Sequence, residues 1–195
     1  MRILAGGIAL IALIALGAQW VVSSGLMAGE GPGWVIWRML GYFTVLSNIA
    51  TLVLMARVAI TGKISAKTAA LITVVMMVVG LGYHALLASQ WSHTGLAWWA
   101  DQGLHTAVPV AMILWWVRFA PKAGLAGRDA LRWTVWPLGY AIYAVLRGLS
   151  TGFYPYPFMD VSTLGLSKAL MNIGALGACF AALALCMIGV ARIIR

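Results

Sequence analysis

The sequence predicts an all-α membrane protein: a six-transmembrane-helix bundle, N-in and C-in, with an intramembrane cavity facing outward. Three observations carry that expectation. Of the 195 residues, 63% are hydrophobic and only 9% charged, outside the range of soluble domains. The apolar residues fall in runs of bilayer length at 3–27, 35–60, 68–90, 100–120, 133–149 and 168–191. The charges between the runs sort by side: ten of the thirteen Lys and Arg (Arg2, Arg57, Lys63, Lys67, Arg118, Lys122, Arg128, Arg132, Arg192, Arg195) lie at the termini and in the even-numbered connections. Glu30, Asp101 and Asp160 fall on the opposite side. Cytoplasmic loops are the Lys/Arg-rich ones, so both termini are expected in the cytoplasm and the chain in the plasma membrane.

Each run justifies its own assignment. Lipid offers no partner to backbone N–H and C=O, so the spans are helices, and no alternating pattern of a barrel strand occurs. The first run, with Met1-Arg2 ahead of it and Gly17-Ala18 within it, has the look of a secretory signal. It continues through Trp20-Val21-Val22, long enough to cross, and is read as a span. A Gly/Pro turn at 28–34 follows. On the second run Gly41, Thr44, Asn48 and Thr51 share a face at i, i+3, i+7 and i+10. A basic inner loop covers 61–67. The third run carries Gly80 and His84 one turn apart, and the outer connection 91–99 holds His93. The fourth carries Asp101 and His105 at i, i+4, and 121–132 is read as the strongest basic inner loop.

The fifth run is the shortest and crosses only with local thinning or a longer true helix. Its Trp136, Tyr140, Tyr143 and Arg147 share a face. The longest connection, 150–167, has two prolines among aromatics and reads as an ordered, partly buried lid or re-entrant segment rather than a linker. The sixth run carries Lys168 and Asn172 at i, i+4, and Cys179 and Cys186 seven apart on one helix, too far for a bridge. The whole is a single integral membrane domain, 1–195. The net charge of +9 belongs to span flanks that face lipid headgroups, so no nucleic-acid partner is expected. Trp34, Trp37, Trp91, Trp98, Trp99 and Trp133 near span ends fit an interfacial belt.

With the spans alternating in direction, Gln19, Ser23, Arg38, Thr44, His84, Asp101, His105, Tyr143, Arg147, Lys168 and Asn172 all reach the outer half, with Asn48 near the middle. Ionisable groups in a bilayer face the bundle interior and pair. The expected cavity is capped by Tyr154-Pro155-Tyr156-Pro157-Phe158. The blander assignment is packing: Ser and Thr commonly bond the preceding turn, and Arg and Lys snorkel.

Three chemistries fit these residues. Thr44 needs a base, and His105 lies at a similar depth with Asp101 one turn before it to fix the imidazole tautomer. Asn48, Tyr143 or Arg147 then donates to an oxyanion. Alternatively His84, His93, His105 and Asp101 hold zinc, although no HxxxH or HExxH spacing occurs. His84 and His105 as axial haem ligands are a further option. Spacing alone does not select among them.

Tyr42-Phe43-Thr44-Val45-Leu46-Ser47-Asn48, Tyr83-His84-Ala85-Leu86-Leu87, Leu104-His105-Thr106-Ala107-Val108-Pro109 and Tyr154-Pro155-Tyr156-Pro157-Phe158-Met159-Asp160 occur in that order. Together they resemble the androgen-induced-gene family of membrane proteins, in its prokaryotic six-span branch. Animal members of that family are intramembrane hydrolases of fatty-acid esters of hydroxy fatty acids that use a Thr and a His. The resemblance therefore implies Thr44 as nucleophile, His105 as base, a bacterial inner-membrane location, a fatty-acid-derived substrate and no cofactor. Asp101 is expected to orient His105. Asn48, His84, Tyr143, Arg147, Tyr156, Asp160, Lys168 and Asn172 are expected to line the substrate site, an acidic head being drawn to Arg147 or Lys168. A non-catalytic carrier of a lipid or small amphiphile is the alternative.

Overall fold

A computed structural model of the chain describes residues 1–90 and 92–194. Trp91 of the expected aromatic belt and Arg195 of the basic set lie outside the described residues. The chain forms two compact units, Met1–Gly124 and Leu125–Arg195. Among the described residues all regular structure is helical. Among these residues four helices are long and apolar enough to cross a membrane: Arg2–Leu26, Phe43–Thr61, Ala66–Gln90 and Leu166–Ile193.

The first unit contains α1 (Arg2–Leu26), α2 (Pro32–Met39), α3 (Phe43–Thr61), α4 (Ala66–Gly82), α5 (Gly95–Gln102) and α6 (Val108–Phe119). A π turn, Tyr83–Leu87, and a 3-10 turn, Ala88–Gln90, prolong α4. A second π turn, Gly103–Ala107, joins α5 to α6 without a gap. α1 packs against α3, α5 and the second π turn. Its buried residues Ala5, Ile8, Ala9, Ala12 and Ala15 form one mostly small-sided stripe, which lets backbones approach in a membrane. At Gly103 an added Cβ would stand 2.6 Å from the Cβ of Ala15, so this contact requires glycine.

One end of this unit is held by polar capping. Arg2 donates from Nε to Ala59 O (2.8 Å) and from Nη2 to Ile60 O (2.5 Å), carbonyls that the end of α3 leaves open. Trp115 Nε1 donates to Met1 O at 3.3 Å. Lys122 Nζ lies 3.0–3.1 Å from the carbonyls of Trp116, Val117 and Ala120 and closes α6. Gly62, at φ 68, ends α3 in the left-handed region. The start of α1 and the ends of α3 and α6 therefore share one face of the unit, with Arg2, Arg57, Lys63, Lys67, Arg118 and Lys122 on or beside it.

The expected second run, 35–60, is not one helix. α2 stops at Met39, Gly41 N and Tyr42 N bond back to Arg38 O and Met39 O, and Tyr42 is extended at φ −94, ψ 131. Gly41 carries a helix cost of roughly 1 kcal/mol relative to Ala. The break also lets Val35, Met39 and Val45 pack together with Leu16, Trp20, Met27 and Tyr42. As a result Gly41 leaves the face it was expected to share, and Thr44 enters the first turn of α3. The fourth run also starts earlier than expected, at Gly95.

The second unit contains α7 (Gly127–Trp133), α8 (Val135–Thr151), a 3-10 turn (Pro157–Met159), α9 (Val161–Leu164) and α10 (Leu166–Ile193). The stretch 121–132, expected as a loop, thus holds most of α7, whose start is supported by Ala126 N donating to Asp129 Oδ2 at 3.0 Å. Segment 150–167 is ordered within this unit. Its Met159 is buried on Ala141 and Ala144, beside Tyr140, Tyr156, Phe158 and Ile173.

Candidate active site

Pro109 explains why His105 sits where it does. Proline lacks the N–H that would bond the carbonyl four residues back, which here is His105 O, and its ring crowds that carbonyl. The helix widens into the π turn Gly103–Ala107 just ahead of it. His105 lies in this turn and Thr44 in the first turn of α3, and His105 Nε2 is 3.1 Å from Thr44 Oγ1. Thr44 is 8% exposed, so the pair is largely shielded from outside.

The other imidazole nitrogen sets the polarity. His105 Nδ1 lies 3.1 Å from the backbone oxygen of Asp101 and 3.0 Å from its Oδ1. A backbone carbonyl only accepts, so Nδ1 carries the proton and donates. In the neutral ring Nε2 then presents its lone pair to the Thr44 hydroxyl, which donates. Tyr83, from the π turn after α4, donates its hydroxyl to Asp101 Oδ2. Its ring lies over the imidazole, centroids 4.1 Å apart and planes 18° from parallel. Four residues from three helical segments thus form one connected chain: Thr44, His105, Asp101, Tyr83.

Asn48 anchors this arrangement. Its Nδ2 donates to Thr44 O (2.9 Å) and to Leu104 O (3.2 Å), tying the first turn of α3 to the π turn. Both amide hydrogens are therefore engaged, which corrects the expectation that Asn48 donates to an oxyanion. Gly80 lets α4 come close, because a Cβ there would lie 3.2 Å from both His105 O and Pro109 Cβ.

The structure contains a second Thr–His pair with the opposite polarity. Thr106 Oγ1 donates to Gln102 Oε1 at 2.8 Å, so it accepts from His84 Nε2 at 3.0 Å. His84 cannot draw a proton from that hydroxyl in this arrangement. Its ring stands edge-on to Tyr83 at 5.0 Å. Among the described residues no three His, Cys, Asp or Glu gather as metal ligands, so His84, His93, His105 and Asp101 do not form the alternative zinc cluster.

The remaining candidates belong to the second unit. Arg147 is buried, donates from Nη1 to Tyr143 Oη at 3.0 Å, and lies over the Phe153 ring at 5.3 Å. Tyr156 stacks on Phe158 at 5.2 Å, and Asn172 Nδ2 donates to Phe158 O at 2.8 Å. Lys168 is exposed in the first turn of α10. Asp160 caps α9, accepting from Ser162 N, Ser162 Oγ and Thr163 N. These bonds, the Ser162 hydroxyl first, hold its carboxyl below the usual carboxylate range.

No family model, curated protein or solved structure matches the chain. Three residues at the site escaped sequence reasoning: Tyr83, Gln102 and Thr106. Tyr83 and Thr106 lie in π turns, which shift them off a 3.6-residue period, and Gln102 meets Thr106 one turn away. Pro109 within an apolar run was the available signal for the turn Gly103–Ala107.

Proposed function

We propose that the chain is an intramembrane hydrolase of lipid esters, with Thr44 as nucleophile, and a member of the family it resembles. The supporting observation is the polarity of the relay: Nδ1–H directed to Asp101, Nε2 directed to a buried Thr44 hydroxyl. In the reaction, Nε2 takes the Thr44 proton as Oγ1 forms a bond to the ester carbonyl carbon. The imidazolium, held beside Asp101, returns that proton to the departing alkoxide as the C–O bond breaks, leaving an acyl-threonine. Water, deprotonated by the same nitrogen, then releases the acid and restores Thr44. The first backbone bond of α3 runs from Leu46 N to Tyr42 O, so the N–H groups of Thr44 and Val45 precede the ladder. They replace Asn48 as donors to the tetrahedral oxyanion.

The proposed topology is six spans, N-in and C-in, in a bacterial inner membrane. Continuous helix over 95–119 and the 17-residue α8 supply the two crossings beyond the four long apolar helices. The basic end of the first unit is its cytoplasmic end. Thr44 is 17 residues before the end of α3, about 25 Å from that end, in the outer half. A fatty-acid ester from the outer leaflet is the substrate class, and no cofactor is needed.

The test uses purified protein in detergent with a fluorophosphonate probe and a lipid ester. Labelling and turnover are expected to vanish in Thr44→Ala, and turnover to fall at least ~10³-fold in His105→Ala, with melting temperatures near wild type. Turnover retained in both variants sinks the mechanism. Absence of labelling and turnover in the wild type, with amphiphile binding intact, favours the carrier.

A further inference from the structure

Asp101 divides its two carboxylate oxygens between two donors. His105 Nδ1 takes Oδ1 at 3.0 Å, and the Tyr83 hydroxyl takes Oδ2. The terminal carboxylate torsion is intrinsically broad, so one hydrogen bond would leave the group free to turn. A donor on each oxygen fixes its plane. The Tyr83 ring meanwhile covers the face of the imidazole in a near-parallel stack. Tyr83 is 7% exposed, and its approach depends on Gly80, where a side chain would meet His105 O and Pro109. Tyr83 thus constrains His105 twice, through the face of its ring and through the acceptor of its Nδ1–H. Thr44 faces the imidazole from α3, Asn48 bonds the carbonyl of the neighbouring Leu104, Thr106 accepts from His84, and His93 acts on Asp101 electrostatically. α1 brings the methyl of Ala15 to this turn, and its charged residue, Arg2, lies at the far end.

We propose that Tyr83 is a positioning residue for the Thr44–His105 pair, holding Asp101 and the imidazole so that Nδ1 keeps the proton and Nε2 faces Thr44. The role in turnover rests on the hydrolase reading. The tautomer and orientation do not, and they can be read without any substrate.

The experiment uses full-length protein in detergent micelles, labelled with ¹⁵N at histidine, at mildly alkaline pH where an ordinary imidazole is neutral. His105 is assigned by the signal lost in His105→Gln. The wild type is expected to show a single Nδ1–H tautomer. Tyr83→Phe keeps the ring and removes the hydroxyl, and it is expected to give a mixture of both tautomers. With an ester substrate the same variant is expected to lose roughly 10–100-fold in kcat with KM unchanged. Tyr83→Leu, lacking ring and hydroxyl, should lose more. A sole Nδ1–H tautomer in Tyr83→Phe overturns the proposal, whatever the turnover. A mixture in Tyr83→Phe with no ester hydrolysis by the wild type supports the positioning role and sinks the hydrolase reading. Should Tyr83→Phe not fold, the wild-type spectrum decides. The Tyr83 hydroxyl proton should be protected from exchange and close in space to the His105 Nδ1 proton, and its absence overturns the proposal.

Discussion

Asp101 meets His105 through two atoms, its backbone oxygen and Oδ1, and both accept the Nδ1 proton. In the proposed reaction the carboxylate also supplies charge to the imidazolium. Asp101→Asn keeps the backbone acceptor and removes the charge. Its kcat should therefore fall roughly 10–1000-fold, less than in Thr44→Ala, with KM little changed. A loss as complete as that of Thr44→Ala would mean that the backbone carbonyl contributes nothing to holding the imidazole. Asn48 acts through the backbone. Asn48→Leu strips the side-chain donor from the carbonyl of Leu104, about 1–3 kcal/mol for a group left buried and unpaired, while Thr44 O keeps its bond in the α3 ladder. The melting temperature in detergent should drop. An unchanged value would show that another group satisfies the Leu104 carbonyl.

At the scale of elements, two π turns and one helix break build the site. Both π turns deliver an aromatic donor or base: Tyr83 from one, His105 from the other. The break at 40–42 delivers Thr44 to a helix start. Pro109→Ala restores an N–H to residue 109 and with it an i to i−4 bond to His105 O. The π turn should then relax toward α geometry and turn His105 off Thr44. The expected result is a melting temperature equal to or above wild type and a kcat reduced by roughly 10²-fold or more. Turnover at the wild-type level in this variant would detach the π turn from the chemistry. The helical class and the four long apolar helices were legible because hydropathy and length act over many residues at once. The breaks were not. The second run holds Gly41 and Arg38 as its only warnings, and α7 hides inside what reads as a charged loop because a short helix with Arg128, Asp129 and Arg132 has no apolar run.

Across the whole molecule the proposed six-span topology makes a charge-based statement that labelling can check. In a background with Cys179 and Cys186 replaced by Ala, a cysteine at Lys63 or Arg128 should react with a membrane-impermeant maleimide only after cells are permeabilised. A cysteine at Ser92 should react in intact cells. Labelling of the Lys63 and Arg128 positions but not of the Ser92 position in intact cells would invert the N-in, C-in arrangement and move the Thr44 site to the other side. The sequence by itself determined the helical membrane class, the asymmetry of charge and the shared depth of Thr44 and His105, since each follows from composition and from a regular 1.5 Å rise. Only the tertiary structure decided which histidine faces a hydroxyl with its lone pair, that Asn48 is an anchor, and that Tyr83 closes the relay. Those features depend on where the helical ladder is interrupted and on which nitrogen meets a carbonyl. Both are set by contacts between segments far apart in the chain, where a periodicity argument has nothing to count.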